Sequence, residues 1–175
     1  MDTLTKEQRS KIMSRVRSTD TSPEVAVRRW LWARGYRYRK NVKRLPGKPD
    51  IVFRKLKTLV FVHGCFWHRH PNCKVATMPK SNSKFWWRKF NANVSRDIEN
   101  EKSLHAAGWT VIVLWECEIN DAALQHLAET LEMQRSRLLV KNRAVRYDEI
   151  VDHEAISMAA EEPMQYGDCN IETKI

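Results

Sequence analysis

The sequence predicts an α/β protein with a mixed sheet flanked by helices, and three patterns carry that expectation. Two short runs rich in β-branched residues, Asp50–Phe53 and Thr58–His63, sit on either side of the charged turn 54–57 and read as a hairpin. Apolar residues at Trp86, Phe90, Val94 and Ile98 recur every four positions and read as one stripe of a long helix. The continuous apolar run Val111–Trp115 then reads as a strand of the buried kind. A helix between the hairpin and that strand supplies the crossover that parallel pairing requires.

Taken in order, residues 1–20 form a basic N-terminal arm or helix with Arg9, Lys11, Arg15 and Arg17 close together. Met13 and Val16 lie three apart and share a face if this stretch is helical; the plainer alternative is a solvated arm with a small packing spot. Ser22-Pro23 reads as an N-cap followed by proline at the first helical position. That helix is expected to reach about Arg34 and stop at Gly35. Glu24 falls in its first turn, where the helix dipole alone favours a carboxylate. Leu45-Pro46-Gly47-Lys48-Pro49 is a turn, and Gly64–Lys80 is read as irregular. The long helix is expected over about 83–107, ended by Gly108, and a further helix over about 120–139. The expected organisation is therefore an arm (1–20), a folded domain (21–140) and an acidic C-terminal tail (141–175) of weak periodicity, partly disordered.

Charge points to the partner. The 175 residues carry 31 Lys+Arg against 21 Asp+Glu, a net of +10. Residues 148–175 hold eight acids and one base, a net of −7, which leaves 30 bases and 13 acids, +17, on the rest. A small body with that charge fits a polyanion, most simply nucleic acid, and the seven tryptophans add surfaces on which bases stack. The bland alternative is a merely soluble basic protein. No apolar run approaches the roughly 20 residues that span a bilayer, and residues 1–17 lack the apolar core of a secretory leader. Four cysteines in such a chain fit metal binding or no joint role.

Three constellations carry chemistry. Cys65, His70 and Cys73, with Cys117 just past a strand, make a Cys₃His set of the closed type that holds structural zinc; free thiols beside unrelated histidines are the alternative. Cys169 is expected to be a free thiol. Asp50 opens the first strand of the hairpin, His63 closes the second, and His68 follows five residues later. A carboxylate there suits Mg²⁺ and a histidine suits a general base, which together are what phosphodiester hydrolysis needs. Glu24 and Asp97 are further carboxylates able to orient water or histidine; singly, an Asp after Pro is an ordinary turn residue. Finally, Phe66-Trp67 within the metal loop and Trp86 at the start of the long helix suit insertion between base steps. Trp86 reads equally well as core. Phe66 and Trp67, as neighbours in an extended loop, are expected to point apart.

Several of these pieces resemble one family closely. Leu45-Pro46-Gly47-Lys48-Pro49-Asp50, His63-Gly64-Cys65-Phe66-Trp67-His68, Phe85-Trp86, Asn93-Val94-Ser95-Arg96-Asp97, Gly108-Trp109 and Leu114-Trp115-Glu116-Cys117 occur in the order found in the Vsr family, the very-short-patch repair DNA mismatch endonucleases. The likeness runs from about Arg9 to Cys117. It implies a restriction-endonuclease-like core of the PD-(D/E)xK type with a structural zinc, making 21–140 an endonuclease domain with a zinc loop. It implies a Mg²⁺-dependent nick 5′ of the thymine in a T:G mismatch produced by deamination of 5-methylcytosine. By that resemblance Asp50 binds Mg²⁺ together with the Val62 backbone carbonyl, and His68 activates the attacking water. His63, Glu24 and Asp97 support it, and Cys65, His70, Cys73 and Cys117 hold Zn²⁺. Phe66, Trp67 and Trp86 enter at the mismatch from the major groove, and Met13 and Val16 enter the minor groove.

The sequence departs from the family at Val62, where members can carry threonine, and between His70 and Cys73, where one residue is added. The tail beyond about 145 matches no family motif; its negative charge is expected to compete with DNA. The resemblance further implies a cytoplasmic, nucleoid-associated bacterial-type protein, a monomer off the membrane, with a mismatch-repair matchmaker as a candidate partner. Two other functions fit the same residues: a sequence-specific restriction or homing endonuclease that cuts matched DNA, and a zinc-stapled DNA-binding module without catalysis.

Overall fold

The computed structural model describes residues 5–158. These fall into two compact units, one reaching Arg135 and one beginning at Ser136. The first unit opens with helix α1 (Lys6–Ser14), where Thr5 and Gln8 form a reciprocal capping box. Helix α2 (Ser22–Ala33) starts one residue earlier than its sequence signal, with Thr21 rather than Ser22 as N-cap and a capping box to Glu24. Gly35, at φ +82°, turns the chain away from its end.

Strand β1 (Arg39–Lys40) pairs antiparallel with β2 (Ile51–Phe53), and β2 pairs antiparallel with β3 (Thr58–His63). The hairpin is as expected, with Ile51 opposite Val60 and Phe53 opposite Thr58. Its approach turn requires Gly47: φ is +71°, and a Cβ there would meet the Phe61 ring at 2.9 Å. After β3 comes the one-turn helix α3 (Cys65–His68), then α4 (Ser83–Ala106), β4 (Thr110–Trp115), a 3₁₀ turn and α5 (Asp121–Met158). Helix α4 carries the chain across the sheet, so that β4 pairs parallel with β3 in the order β1-β2-β3-β4. The result is a four-stranded mixed sheet flanked by helices.

Alternation along β3 divides the core between the two faces of the sheet. Val60 and Val62 join Val27 and Leu31 of α2 and Leu124, Leu127 and Leu131 of α5 on one face. Leu59 and Phe61 join Val52 and Leu104 of α4 on the other. Truncating a buried leucine such as Leu127 to alanine would cost on the order of 2–5 kcal/mol.

Four expectations are corrected. β4 is half-buried along its length, not fully buried, because it has a strand neighbour on one side only among the described residues. In α4 the four-residue stripe does not hold: Phe90 is buried but Ile98 is 49% exposed. Steps of four overshoot a 3.6-residue turn and drift round the helix, and the inward face instead runs Phe90, Asp97, Leu104, with Asp97 half-buried. Gly64–Lys80 is not wholly irregular, since α3 lies within it; one turn is too short to show periodicity. Helix α5 passes the expected end at 139 and reaches Met158, so the first part of the acidic tail is helical. The remainder of the tail, Cys169 included, lies outside the described residues. No helix among the described residues is long and apolar enough to cross a membrane.

Candidate active site and metal centre

A cleft of about 960 Å³ gathers most of the residues singled out in the sequence. Asp50, Val62, His63, His68, Glu24 and Asp97 line it, together with Trp67, Met13 and Val16. Buried Pro49 leads into β2 and sets Asp50 at the strand's mouth. Asp50 Oδ2 accepts a hydrogen bond from the Val62 backbone N–H at 2.8 Å. Burial, reinforced by the nearby charge of Glu24, raises the Asp50 carboxyl to about 6 against the opposing pull of that hydrogen bond, Arg28 and His68.

His63 ends β3, and Gly64 caps the following turn, which brings His68 back over it. The two imidazoles stack with centroids 4.0 Å apart and planes 9° apart. Asp97 Oδ2 meets His68 Nδ1 at 2.6 Å. A carboxylate on one ring nitrogen fixes the tautomer and leaves Nε2 as the acceptor, the state a general base needs. His63 is 6% exposed, and its Nδ1 has no hydrogen-bond partner. Burial, then the charge of His68, lowers it to about 4, so it stays neutral near pH 7. Donor atoms of His63, His68 and Asp97 lie within 4.8 Å of one another. Parallel stacked rings share no in-plane point, however, so the trio is not a chelate: Asp97 is hydrogen-bonded to His68, and His63 stacks on that ring.

Glu24 is engaged structurally: its carboxylate accepts from the Asp20 N–H at 2.9 Å and the Thr21 hydroxyl at 2.7 Å. Beside it lies Arg28, 7% exposed, bound to Asp20 at 2.5 Å and 3.8 Å from Glu24. Sequence reasoning passed over Arg28, although its i,i+4 spacing from Glu24 was visible. It names Asn93 and Arg96 only within a family motif and gives them no role: Asn93 Nδ2 donates to the Trp67 carbonyl at 3.0 Å, and Arg96 donates to Asn93 Oδ1 at 2.8 Å. The signal was Asn93 and Asp97 one helical turn apart.

The four candidate metal ligands converge at a second point. Cys65, His70, Cys73 and Cys117 bring their donor atoms within 4.8 Å of each other. Cys73 Sγ is 3.9 Å from Cys117 Sγ, which is 3.3 Å from His70 Nε2. Zinc–ligand lengths in a tetrahedron require about 3.8 Å between sulfurs and about 3.5 Å between sulfur and nitrogen, so the set fits Zn²⁺. Between His70 and Cys73 the chain turns at Pro71-Asn72, with Asn72 at φ +59°. Cys65, Cys73 and Cys117 are all unbridged.

The aromatic residues correct another expectation. Phe66 and Trp67 lie on a helical turn, not an extended loop, and their rings meet edge to face at 5.0 Å. Phe66 also packs on Trp86 at 5.5 Å and on Phe90 at 5.1 Å. Phe66, Trp67 and Trp86 are each half-buried. On the arm, Met13 and Val16 are 42% and 45% exposed, and Val16 lies just past the end of α1.

Comparison with known proteins gives an independent bearing. The model of the DNA mismatch endonuclease Vsr family matches residues 1–74. The chain is 50% identical over 123 residues to the type II nicking enzyme V.NmeAIP of Neisseria meningitidis, covering 70% of this chain and 87% of that protein. It is 48% identical over 120 residues to the type II nicking enzyme V.XorIIP of Xanthomonas oryzae, covering 69% and 88%. To the DNA mismatch endonuclease Vsr of Escherichia coli it is 36% identical over 118 residues, covering 67% and 75%.

Proposed function

We propose that this chain, which belongs to the Vsr family of DNA endonucleases, is a Mg²⁺-dependent nickase that cuts 5′ of the thymine in a T:G mismatch. The observation that carries this reading is one cleft holding Asp50, the Asp97–His68 pair, the edge of an aromatic cluster and two exposed apolar residues of the arm. Hard oxygen donors for Mg²⁺ are at hand in the Asp50 carboxylate and the Val62 carbonyl. Val62 lies beyond the last β2–β3 pair, Ile51 with Val60, and its N–H is turned to Asp50. Strand geometry turns its carbonyl to the same side. These groups would hold a magnesium ion, which when bound would supply charge stabilisation to the scissile phosphate and the leaving 3′-oxygen.

The chain's own groups account for the rest. His68 Nε2 takes the proton of the attacking water, Asp97 holds the ring in that tautomer and orientation, and neutral His63 backs it without competing for the proton. Basic residues on the body hold phosphates and give affinity without choice of sequence. Choice comes from deformation: a T:G wobble pair is cheaper to unstack than a matched pair, so Phe66, Trp67 and Trp86 seat most easily there, with Met13 and Val16 opposite. Cys65, His70, Cys73 and Cys117 hold zinc as a staple for the loop that carries α3. The order α2–β2–β3–α4–β4, with Asp50 at a strand mouth, supports a restriction-endonuclease-like core.

A DNA substrate and bacterial relatives support a cytoplasmic, nucleoid-associated site of action. An asymmetric mismatch suits a monomer, and family likeness supports a mismatch-repair matchmaker as partner. The relatives described as type II nicking enzymes favour a second reading, a sequence-specific endonuclease acting on matched DNA. The test of the catalytic assignment is chelation mild enough to leave zinc in place. Nicking that stops and resumes with added Mg²⁺, and an Asp50→Ala protein that binds but does not cut, are the expected results. Cutting that persists in either case refutes the assignment, and binding without cutting under every condition leaves a DNA-binding module.

A further inference from the structure

Two hydrogen bonds, one helical turn apart, fasten α3 to α4. Asn93 Nδ2 donates to the Trp67 carbonyl at 3.0 Å, and Asp97 Oδ2 meets His68 Nδ1 at 2.6 Å. Asn93 and Asp97 are four apart and share a helix face, while Trp67 and His68 are consecutive. Arg96 donates to Asn93 Oδ1 at 2.8 Å, which fixes the amide so that its NH₂ faces the Trp67 carbonyl. The same helix presents Trp86 and Phe90 to the Phe66 ring at 5.5 and 5.1 Å. Helix α3 has only four residues, so its orientation comes from these partners rather than from its own backbone bonds. Phe66, Trp67 and His68 therefore ride on one small body that α4 holds and faces with Trp86.

We propose that Asn93, oriented by Arg96, is a positioning residue that ties the seating of Phe66, Trp67 and Trp86 to the alignment of His68. This rests on the reading of His68 as general base and of the rings as the inserted group. A duplex that resists unstacking pushes the rings back, and α3 carries His68 out of line with the phosphate. Misplacement by about 1 Å costs on the order of 10²-fold in rate. The coupling places mismatch discrimination in the rate of nicking as well as in affinity.

The test is a double-mutant cycle on the full-length, zinc-loaded protein, measured as single-turnover nicking of saturating T:G duplex with Mg²⁺. Asn93→Ala is expected to slow nicking by about 10–100-fold, a misplacement effect, with affinity and its salt dependence unchanged. Trp86→Ala is expected to slow it too, and the double variant to be no slower than the slower single one. Arg96 is exposed, so its variants provide a check free of folding damage: Arg96→Ala loses rate and Arg96→Lys recovers most of it. Losses that multiply in the double variant overturn the proposal, as does an Asn93→Ala protein that binds weakly but cuts at the normal rate. A His68→Ala protein that nicks at full rate overturns instead the reading beneath it. Melting temperature and zinc content, measured for every variant, separate positioning from loss of fold.

Discussion

Replacing Asp50 with asparagine is expected to abolish nicking while making the protein more stable above pH 6. The side chain keeps its shape, and its oxygen still accepts the Val62 N–H, so the change removes a charge and little else. In the fold the carboxyl is raised from 3.8 to about 6, chiefly by burial. The folded state therefore holds this proton more tightly than the unfolded chain does, and ionising Asp50 destabilises the fold. At 1.36 kcal/mol per pH unit the full effect is about 3 kcal/mol, an upper bound because the cleft admits water. For a chain of this length that corresponds to about 6–12 °C in melting temperature. The sign fixes the pH window: no gain below pH 3.8, where both proteins are uncharged at this site, a gain growing between 3.8 and 6, and a plateau above. Thermal unfolding of Asp50→Asn and the unchanged protein across pH 3.5–8 measures it, with nicking followed in parallel. Added Mg²⁺ should raise the melting temperature of the unchanged protein only. A variant less stable at pH 7.5, or equally stabilised at pH 3.5, would refute the argument that this carboxylate is held at a cost for its chemistry.

Other expectations follow from the same geometry. His63 is held neutral with its pKa lowered from 6.5 to about 4, so it weakens the fold as pH falls from 6.5 through 4. Denaturation of Asp50→Asn against pH should show that loss, and His63→Gln should flatten it. Asp97→Asn takes the carboxylate from His68 Nδ1 and should slow single-turnover nicking by about 10²-fold or more without weakening binding; an unchanged rate would remove Asp97 from the catalytic pair. Cys117→Ser should lower both zinc content and melting temperature, and full zinc retention would take Cys117 off the ligand set. Removing residues 148–175, with their net charge of −7, should tighten binding to random duplex; unchanged affinity would end the idea that the tail competes with DNA.

Much of this site could be read from local chemistry. The hairpin was legible because β3 is apolar at every position from Leu59 to Val62 and both strand ends carry turn residues. The crossover followed from a long helix lying between that hairpin and another apolar run. Asp50, His63 and His68 were legible because each sits at a strand end or just after one, where pairing stops and side chains face open space. What the sequence hid was set by tertiary partners. Helix α3 is a single turn, oriented by Asn93 and Asp97 from a helix far along the chain, so no window of local sequence contains its cause. The aromatic pair was misread for the same reason: on a helical turn Phe66 and Trp67 converge on Trp86 instead of diverging. Ile98 looked like core because it continued the Trp86–Phe90–Val94 spacing, yet Leu104 fills the sheet-facing position. Glu24 looked like a site residue, and the fold first uses it to cap α2 and to balance Arg28.

The most direct measurement is nicking with Mg²⁺ of end-labelled duplexes identical except for one pair, T:G against T:A, in several flanking contexts that include CCWGG-like sites. A single cut in the strand carrying the mismatched thymine, on its 5′ side and in the T:G duplex only, is the result predicted from the aromatic cluster, the Asp97–His68 pair and Asp50 acting at one cleft. Equal cutting of the T:A duplex in any context would contradict mismatch recognition and establish a sequence-specific endonuclease instead.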